Sequence, residues 1–278
     1  MKFKILIFTL LIGAFSFAQK KEKIKGNKFI KVKQHQIADF NELSIGEKFE
    51  VFLLKGDTPQ IEIEADENLH DVILFSVTDN GVLNLKTTHQ ITSKKKLNIR
   101  ITVTNSFNSI IISDKAIVNS LIDLDIKKLT ITAKGNSKTY LTLKTDEFKF
   151  TANKHAKAEL NLTTKKCIIQ LSESTNLEAL INADELKMDL YQKANAKIEG
   201  EVNNLILRID NAANYKGRKL TATNASVISE GSADCDIEVK DTLTIEASGA
   251  SKINIYNNPK IDLKKFEDSA SIFKKTIN

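Results

Sequence analysis

Asp189, Arg208, Glu199, Glu201 and His155, with Cys167 and Cys235, are the residues of this chain whose types and spacing could do chemistry. Asp189 and Arg208 stand 19 residues apart, and Glu199 and Glu201 alternate along one short stretch. Paired carboxylates beside a basic group could cleave a glycan, usually with calcium. The carboxylates here do not cluster that way, and an Asp189–Arg208 pair reads first as an ion pair across neighbouring chain turns. His155 has no positioned partner in sequence and reads as a solvated side chain. The two cysteines and four histidines (His35, His70, His89, His155) show no CxxC or HxxxH spacing, which argues against a metal. The sequence therefore assigns no catalytic, cofactor-binding or metal-ligating residue, and no cofactor.

What must position any such residue is a repeat. From Ile110, steps of 19 residues reach Leu129, Phe148, Cys167, Leu186 and Leu205, then Ala225 after 20 and Leu243 after 18. Two residues further on lie Ile112, Ile131, Phe150, Ile169, Met188, Leu207, Val227 and Ile245. These are two apolar rows on one face of a strand, because side chains alternate across it. A second pair of rows follows about ten residues later, with Ile122, Leu141, Leu160, Ala179 and Ile198 beside Leu124, Leu143, Leu162 and Ile181. They falter at Gly200 and Gly217 and return as Ile237/Val239 and Ile253/Ile255. Between the strands runs a row of small residues: Ser137, Ala156, Thr175, Ala194, Ala213, Ala233 and Ser251.

A fixed phase plus a small-residue corner is what stacking coils require, since like residues then lie over like. The expected fold is all-β: a parallel, right-handed β-solenoid with coils of about 19 residues and an N-terminal β cap. Eight coils at ~4.8 Å give a rod of roughly 38 Å. Leu129, Phe148 and Leu186 should share one inward line, and Ile131 should face the core between two coils. The same geometry separates the cysteines by more than three coils, ~14 Å or more, so no disulfide is expected between them.

The N-terminus has its own logic. Lys2 and Lys4, the apolar run Ile5 to Phe17 and the small-x-small Ser16-Phe17-Ala18 form a secretory signal at 1–18, too short to span a bilayer. No later segment is long and apolar enough to do so, so no transmembrane segment is expected in the mature chain. Residues 19–33 carry seven lysines against one glutamate and read as a basic tail. The formal charge of +6 is concentrated there and in the leader, and the remaining body comes to about −2. The other basic run, "SKKKLNIR", lacks interleaved aromatics, so nucleic acid is not an expected partner. Residues 34–278 form a single solenoid domain, with strands and cap over 34–105 and repeat coils over 106–278. The pair Asn80-Gly81 marks a tight hairpin in the cap, and the charged "KKFEDSASIFKK" is expected to cap the other end.

The stretch "FNELSIGEKFEVFLLKGDTPQIEIEADENLHDVILFSVTDNGVLNLKT", with "SGASKINI" later, resembles the head GIN domain family, known as "putative auto-transporter adhesin". The resemblance covers roughly residues 28 to 256. It implies an exported all-β solenoid of a Gram-negative envelope with an adhesive role, and it carries no site residues. In the first coil, "SDKAIV" replaces the glycine-rich corner of similar sequences.

The outward positions read Thr130, Lys149, Ile168, Lys187, Ile206, Ser226, Thr244, and beside them Thr132, Thr151, Gln170, Asp189, Arg208, Ile228, Glu246. The expected function is a non-catalytic envelope or surface β-solenoid that binds, adheres or supports structure, with an unidentified envelope, protein or glycan partner. Ile168 and Ile206 are the expected contact residues. The alternatives are a polysaccharide-lyase-like enzyme or sugar-binding module on the same scaffold, and a periplasmic partner in an envelope assembly. The expected location is the periplasm, the cell surface or the medium.

Overall fold

The computed structural model describes residues 21–120 and 122–276, and the expected signal segment 1–18 lies outside the described residues. The repeat region folds as parallel stacked coils. Four strands of 15 residues, Lys138–Ala152, Lys157–Leu171, Asn176–Leu190 and Asn195–Ile209, pair in parallel at an offset of 19. Leu129, Phe148, Cys167 and Leu186 are consecutive register partners, all fully or nearly fully buried. The inward rows of both arms fuse into one apolar core.

Each long strand bends where the in–out alternation skips a beat, as at Asp146 and Glu147. At the bend Thr145 Oγ1 donates to the carbonyls of Lys127 and Glu147, both at 3.0 Å, and Thr164 does the same one coil later. The other corner is sharper. Asp114, Gly135, Lys154, Glu173, Gln192, Asn211, Gly231, Gly249 and Asp268 all have positive φ, between 56° and 72°. Two residues after each stands a small residue: the predicted row from Ser137 to Ser251, which the structure extends by Ala116 before it and Ala270 after it. Lys, Glu and Gln in this conformation cost roughly 1 kcal/mol each. The stacking repays it: from Asp114 to Gly249 the carbonyl at each such position accepts from the coil above, as in His155 N to Gly135 O at 2.9 Å. The ladder thus runs unbroken through the corner, and that fixes one coil on the next.

The structure corrects the start of the repeat. Ile110 pairs with Ile131, not Leu129, because two extra residues bulge out between Asn119 and Leu124. Ile122, assigned to an inward row, sits on that bulge and is 54% exposed. A slip of two residues preserves the buried face, so the apolar pattern conceals it. The faltering second row also has a cause. Gly217 sits under the buried ring of Tyr215, which fills the core where an aliphatic row is interrupted.

Below the first repeat coil the chain builds further turns of the same solenoid. Strands Glu42–Ile45 and Glu50–Lys55 carry the first repeat strands in parallel, and Val82–Thr87 and Leu97–Val103 stack beneath them. The pairing then turns antiparallel. Ile73–Val77 covers Val82–Thr87 through the Asn80-Gly81 turn, and Gln60–Asp66 and Ile30–Gln36 cover Leu97–Val103. The basic stretch 19–33 is not free over its described part: Lys23–Lys25 pairs with Gln90–Ser93, and Ile30 opens the outermost cap strand. At the other end the stretch expected to cap the solenoid does so, among the described residues, by continuing the repeat. "KKFEDSASIFKK" belongs to one more coil, Lys260–Phe266 and Ser271–Lys274, paired only on its inner side among the described residues.

Cys167 and Cys235 are free and fully buried, and burial pushes both thiols well above the usual range. In the native protein neither should react with a thiol reagent over minutes, and both should react at once in denaturant. A linked cysteine peptide from unreduced protein would overturn the coil register.

Candidate functional site

The outer faces are where this fold can meet anything, because the interior is closed by apolar side chains. On the first arm, Thr130, Lys149, Ile168, Lys187 and Ile206 are consecutive register partners, as are Gln170, Asp189 and Arg208. Asp189 lies beside Arg208 in register, but the expected ion pair does not form. Arg208 Nη2 bonds Glu230 Oε2 at 2.9 Å instead, because the longer reach of the guanidinium takes it to the corner acid one coil on. Ile206 is 44% exposed, whereas Ile168 is half-buried among its neighbours.

The second arm holds the more structured surface. Tyr140, Glu159, Glu178 and Lys197 succeed one another in register, with Asn161, Leu180 and Glu199 in the next column. They line an open groove of about 460 Å³. Glu159 and Glu178 are stacked acids on adjacent coils, a pair that inspection of Glu199 and Glu201 alone does not find. Its signal was present in the sequence as two glutamates one period apart. Part of the charge there is paired along the stack: Lys197 bonds Glu178 at 3.3 Å and lies 4.0 Å from Glu199, which Lys219 also reaches at 3.3 Å. Glu201 takes no part, and its backbone N–H bonds Asn182 Oδ1 at 3.2 Å. Leu180 stands 43% exposed in the middle of this ladder. Such a face can hydrogen-bond and pair charge over an extended partner. It offers no walls that would strip water from a reacting bond.

A second hollow, about 580 Å³, lies where Gln90–Ser93 folds over the cap. Phe49, Ile91 and Leu97 form its apolar side and Lys21, Glu47 and Lys94 its rim. Burial alone would raise the Glu47 carboxyl. Lys21 Nζ at 2.6 Å and Thr87 Oγ1 at 2.5 Å outweigh that and hold it below the usual range.

The histidines are scattered. His35 packs on Phe75 with ring centres 5.0 Å apart, His70 Nε2 meets the Lys31 carbonyl at 3.0 Å, and His89 lies 3.5 Å from Glu22. His155 is exposed at a corner. Among the described residues no three of His, Cys, Asp and Glu converge as metal ligands would, and no helix is long and apolar enough to cross a membrane.

Comparison with known proteins fits this architecture. A family model described as "Putative auto-transporter adhesin, head GIN domain" matches residues 39–180 and 155–259. Two solved structures, each described as a "putative adhesin", are similar in fold. One is from Parabacteroides merdae (19% identity, TM-score 0.63, 91% of this chain and 99% of that one). The other is from Parabacteroides distasonis (17%, TM-score 0.64, 91% and 100%). A further Parabacteroides distasonis structure, described as a "Putative lipid binding protein", is similar at 14% identity and TM-score 0.58, covering 92% and 100%. No curated protein matches the chain.

Proposed function

From the premise that this chain belongs to the head GIN domain family of adhesin-like proteins, we propose that it is an exported envelope β-solenoid that binds a partner along its outer faces and catalyses nothing. The observation that carries this reading is the second-arm ladder. Acids and lysines pair coil to coil around the exposed Leu180, on a flat face several coils long. Extended, repetitive faces suit many weak contacts in register with a polymer or a neighbouring surface. Ile206 adds a second apolar point on the first arm. The partner class is an envelope component, protein or glycan, and the stacked Glu159 and Glu178 favour one that offers hydroxyls or amides over one that is anionic.

The test uses purified mature protein. It should co-sediment with intact envelopes, and Leu180→Lys should weaken that binding at least several-fold without changing the fold. It should release no reducing sugar from envelope or host polysaccharides, with or without calcium. Sugar release that is abolished by Glu159→Gln, Asp189→Asn or Glu199→Gln would overturn the reading in favour of a lyase-like enzyme.

A further inference from the structure

Two lysine runs that lie far apart in the sequence come together at the N-terminal cap. Residues 21–33 hold six lysines and one glutamate, and Lys94, Lys95 and Lys96 fill the loop before Leu97–Val103. Three connections join them. Lys23–Lys25 pairs in parallel with Gln90–Ser93, and the Gly26 N–H donates to the Ser93 carbonyl at 2.9 Å. Asn68 Nδ2 donates to the Lys25 carbonyl at 2.8 Å. The buried Asp66 carboxylate accepts from the backbone N–H groups of Lys28, Lys95 and Lys96, which ties both runs to one point.

Most of the charge so gathered is unanswered. Lys31 pairs with Glu67 at 3.0 Å and Lys96 with Glu64 at 3.7 Å. Lys23, Lys25, Lys28, Lys94 and Lys95 are exposed and form no ion pair with any described residue. Apolar side chains stand exposed among them: Phe29 at 73%, Val32 at 53% and Ile30 at 40%. Phe29 follows Lys28 directly, and Val32 lies in register with Glu64, the partner of Lys96. Lysines that guard a strand edge against further pairing would account for Lys31 and Lys33 on the outermost strand, and for Lys23 and Lys25. They do not account for Lys28, Lys94 and Lys95 in loops, nor for apolar residues that a guarded edge does without.

We propose that this face is a membrane-docking surface for an anionic phospholipid bilayer. The lysines meet the headgroup phosphates, and Phe29, Ile30 and Val32 enter the boundary between headgroups and acyl chains. Each lysine near such a bilayer is drawn by its surface potential. Apolar side chains between the lysines add burial that charge alone cannot supply. They also select among polyanions. A sulfated or phosphorylated polymer would pair with the lysines and leave Phe29, Ile30 and Val32 in water. A single-stranded nucleic acid would stack on successive aromatic platforms, and here Phe29 stands alone between aliphatic neighbours. A bilayer answers both features at once. The face lies apart from the second-arm ladder and calls for the opposite charge, so the two serve different partners.

Co-sedimentation of the mature protein with lipid vesicles tests this. It should bind vesicles of equal parts phosphatidylglycerol and phosphatidylcholine, ignore vesicles of phosphatidylcholine alone, and let go as salt rises. Lys25→Glu combined with Lys95→Gln, one change from each run, should weaken binding roughly tenfold or more. Phe29→Ser should weaken it several-fold while the salt dependence persists. Lys187→Glu, on the outward row of the first arm, should leave it as it is. The chain has no tryptophan, so Phe29→Trp makes the face report on itself. Its emission should shift to the blue on the mixed vesicles, and that of Lys187→Trp should stay where it is. The proposal is overturned by a wild type that ignores the mixed vesicles or binds pure phosphatidylcholine equally well. It is overturned equally by binding indifferent to the lysine pair or to Phe29→Ser, by an unshifted Phe29→Trp emission, or by a preference for heparin or DNA over the mixed vesicles.

Discussion

Ile131→Asp is expected to cost about 4 kcal/mol or more of folding stability, and at ordinary temperature to leave the central coils unfolded. Ile131 is fully buried and has Ile110 on one side and Phe150 on the other as register partners. A carboxylate there has no donor within reach, so it is either buried uncompensated or protonated at a comparable expense. The loss should spread, because each coil is held mainly by its neighbours and a broken interface releases both sides. Lys149→Asp, on the outward row one coil along, reverses a charge in full solvent and should shift stability by less than about 1 kcal/mol. Urea denaturation followed by circular dichroism compares the two. Similar midpoints would mean that the inward and outward faces have been exchanged.

That contrast also shows why so much of the fold was legible in the sequence. A solenoid writes its contacts as a period, so Leu129, Phe148, Cys167 and Leu186 announce their stacking by spacing alone. The small-residue row gave the corner for the same reason. The left-handed residue two places before it did not show, because Lys154, Glu173 and Gln192 are not types that mark such a conformation. They tolerate it because the stacked hydrogen bonds outweigh the strain. The bulge at Ile122 escaped because two extra residues leave the buried face intact. The C-terminal coil escaped for a different reason. "KKFEDSASIFKK" reads as polar, and only its register on the coil before it, Phe266 on Ala247 and Ile272 on Ile253, reveals that its apolar members continue the core. The outer surface was least legible. Arg208 chose Glu230 over its register neighbour Asp189, because long side chains on an exposed face are positioned by reach and solvent and not by period.

The sharpest case of a contact that no period announces is Asp66, and its removal is the second large effect expected. Its carboxylate is fully buried at the end of Gln60–Asp66 and accepts from three backbone N–H groups: Lys28 at 3.1 Å, Lys95 at 3.0 Å and Lys96 at 2.9 Å. It thereby pins two loops, some 30 and 40 residues away in the chain, to the cap. Gly26 passes so close that a Cβ there would come within 1.9 Å of Asp66 Oδ2, so the approach is possible only without a side chain. Burial by itself would raise this carboxyl, but the N–H donors from Lys96, Lys95 and Lys28 outweigh it and hold the group below the usual range. A depressed folded value means that the stabilisation is complete above the unfolded value of about 3.9 and is lost as pH falls toward the lower folded one. Asp66→Ala leaves three buried donors without an acceptor and should destabilise the cap by about 3–5 kcal/mol near neutral pH. Asp66→Asn keeps the shape and one acceptor oxygen, so it should lose less. Below about pH 4 the gap between wild type and Asp66→Asn should narrow, since the wild-type carboxylate is then being protonated. Denaturation midpoints of the three proteins from neutral pH to about pH 3 read this directly. A gap between wild type and Asp66→Asn that stays constant over that range would mean the cap is held by the shape of the residue and not by its charge.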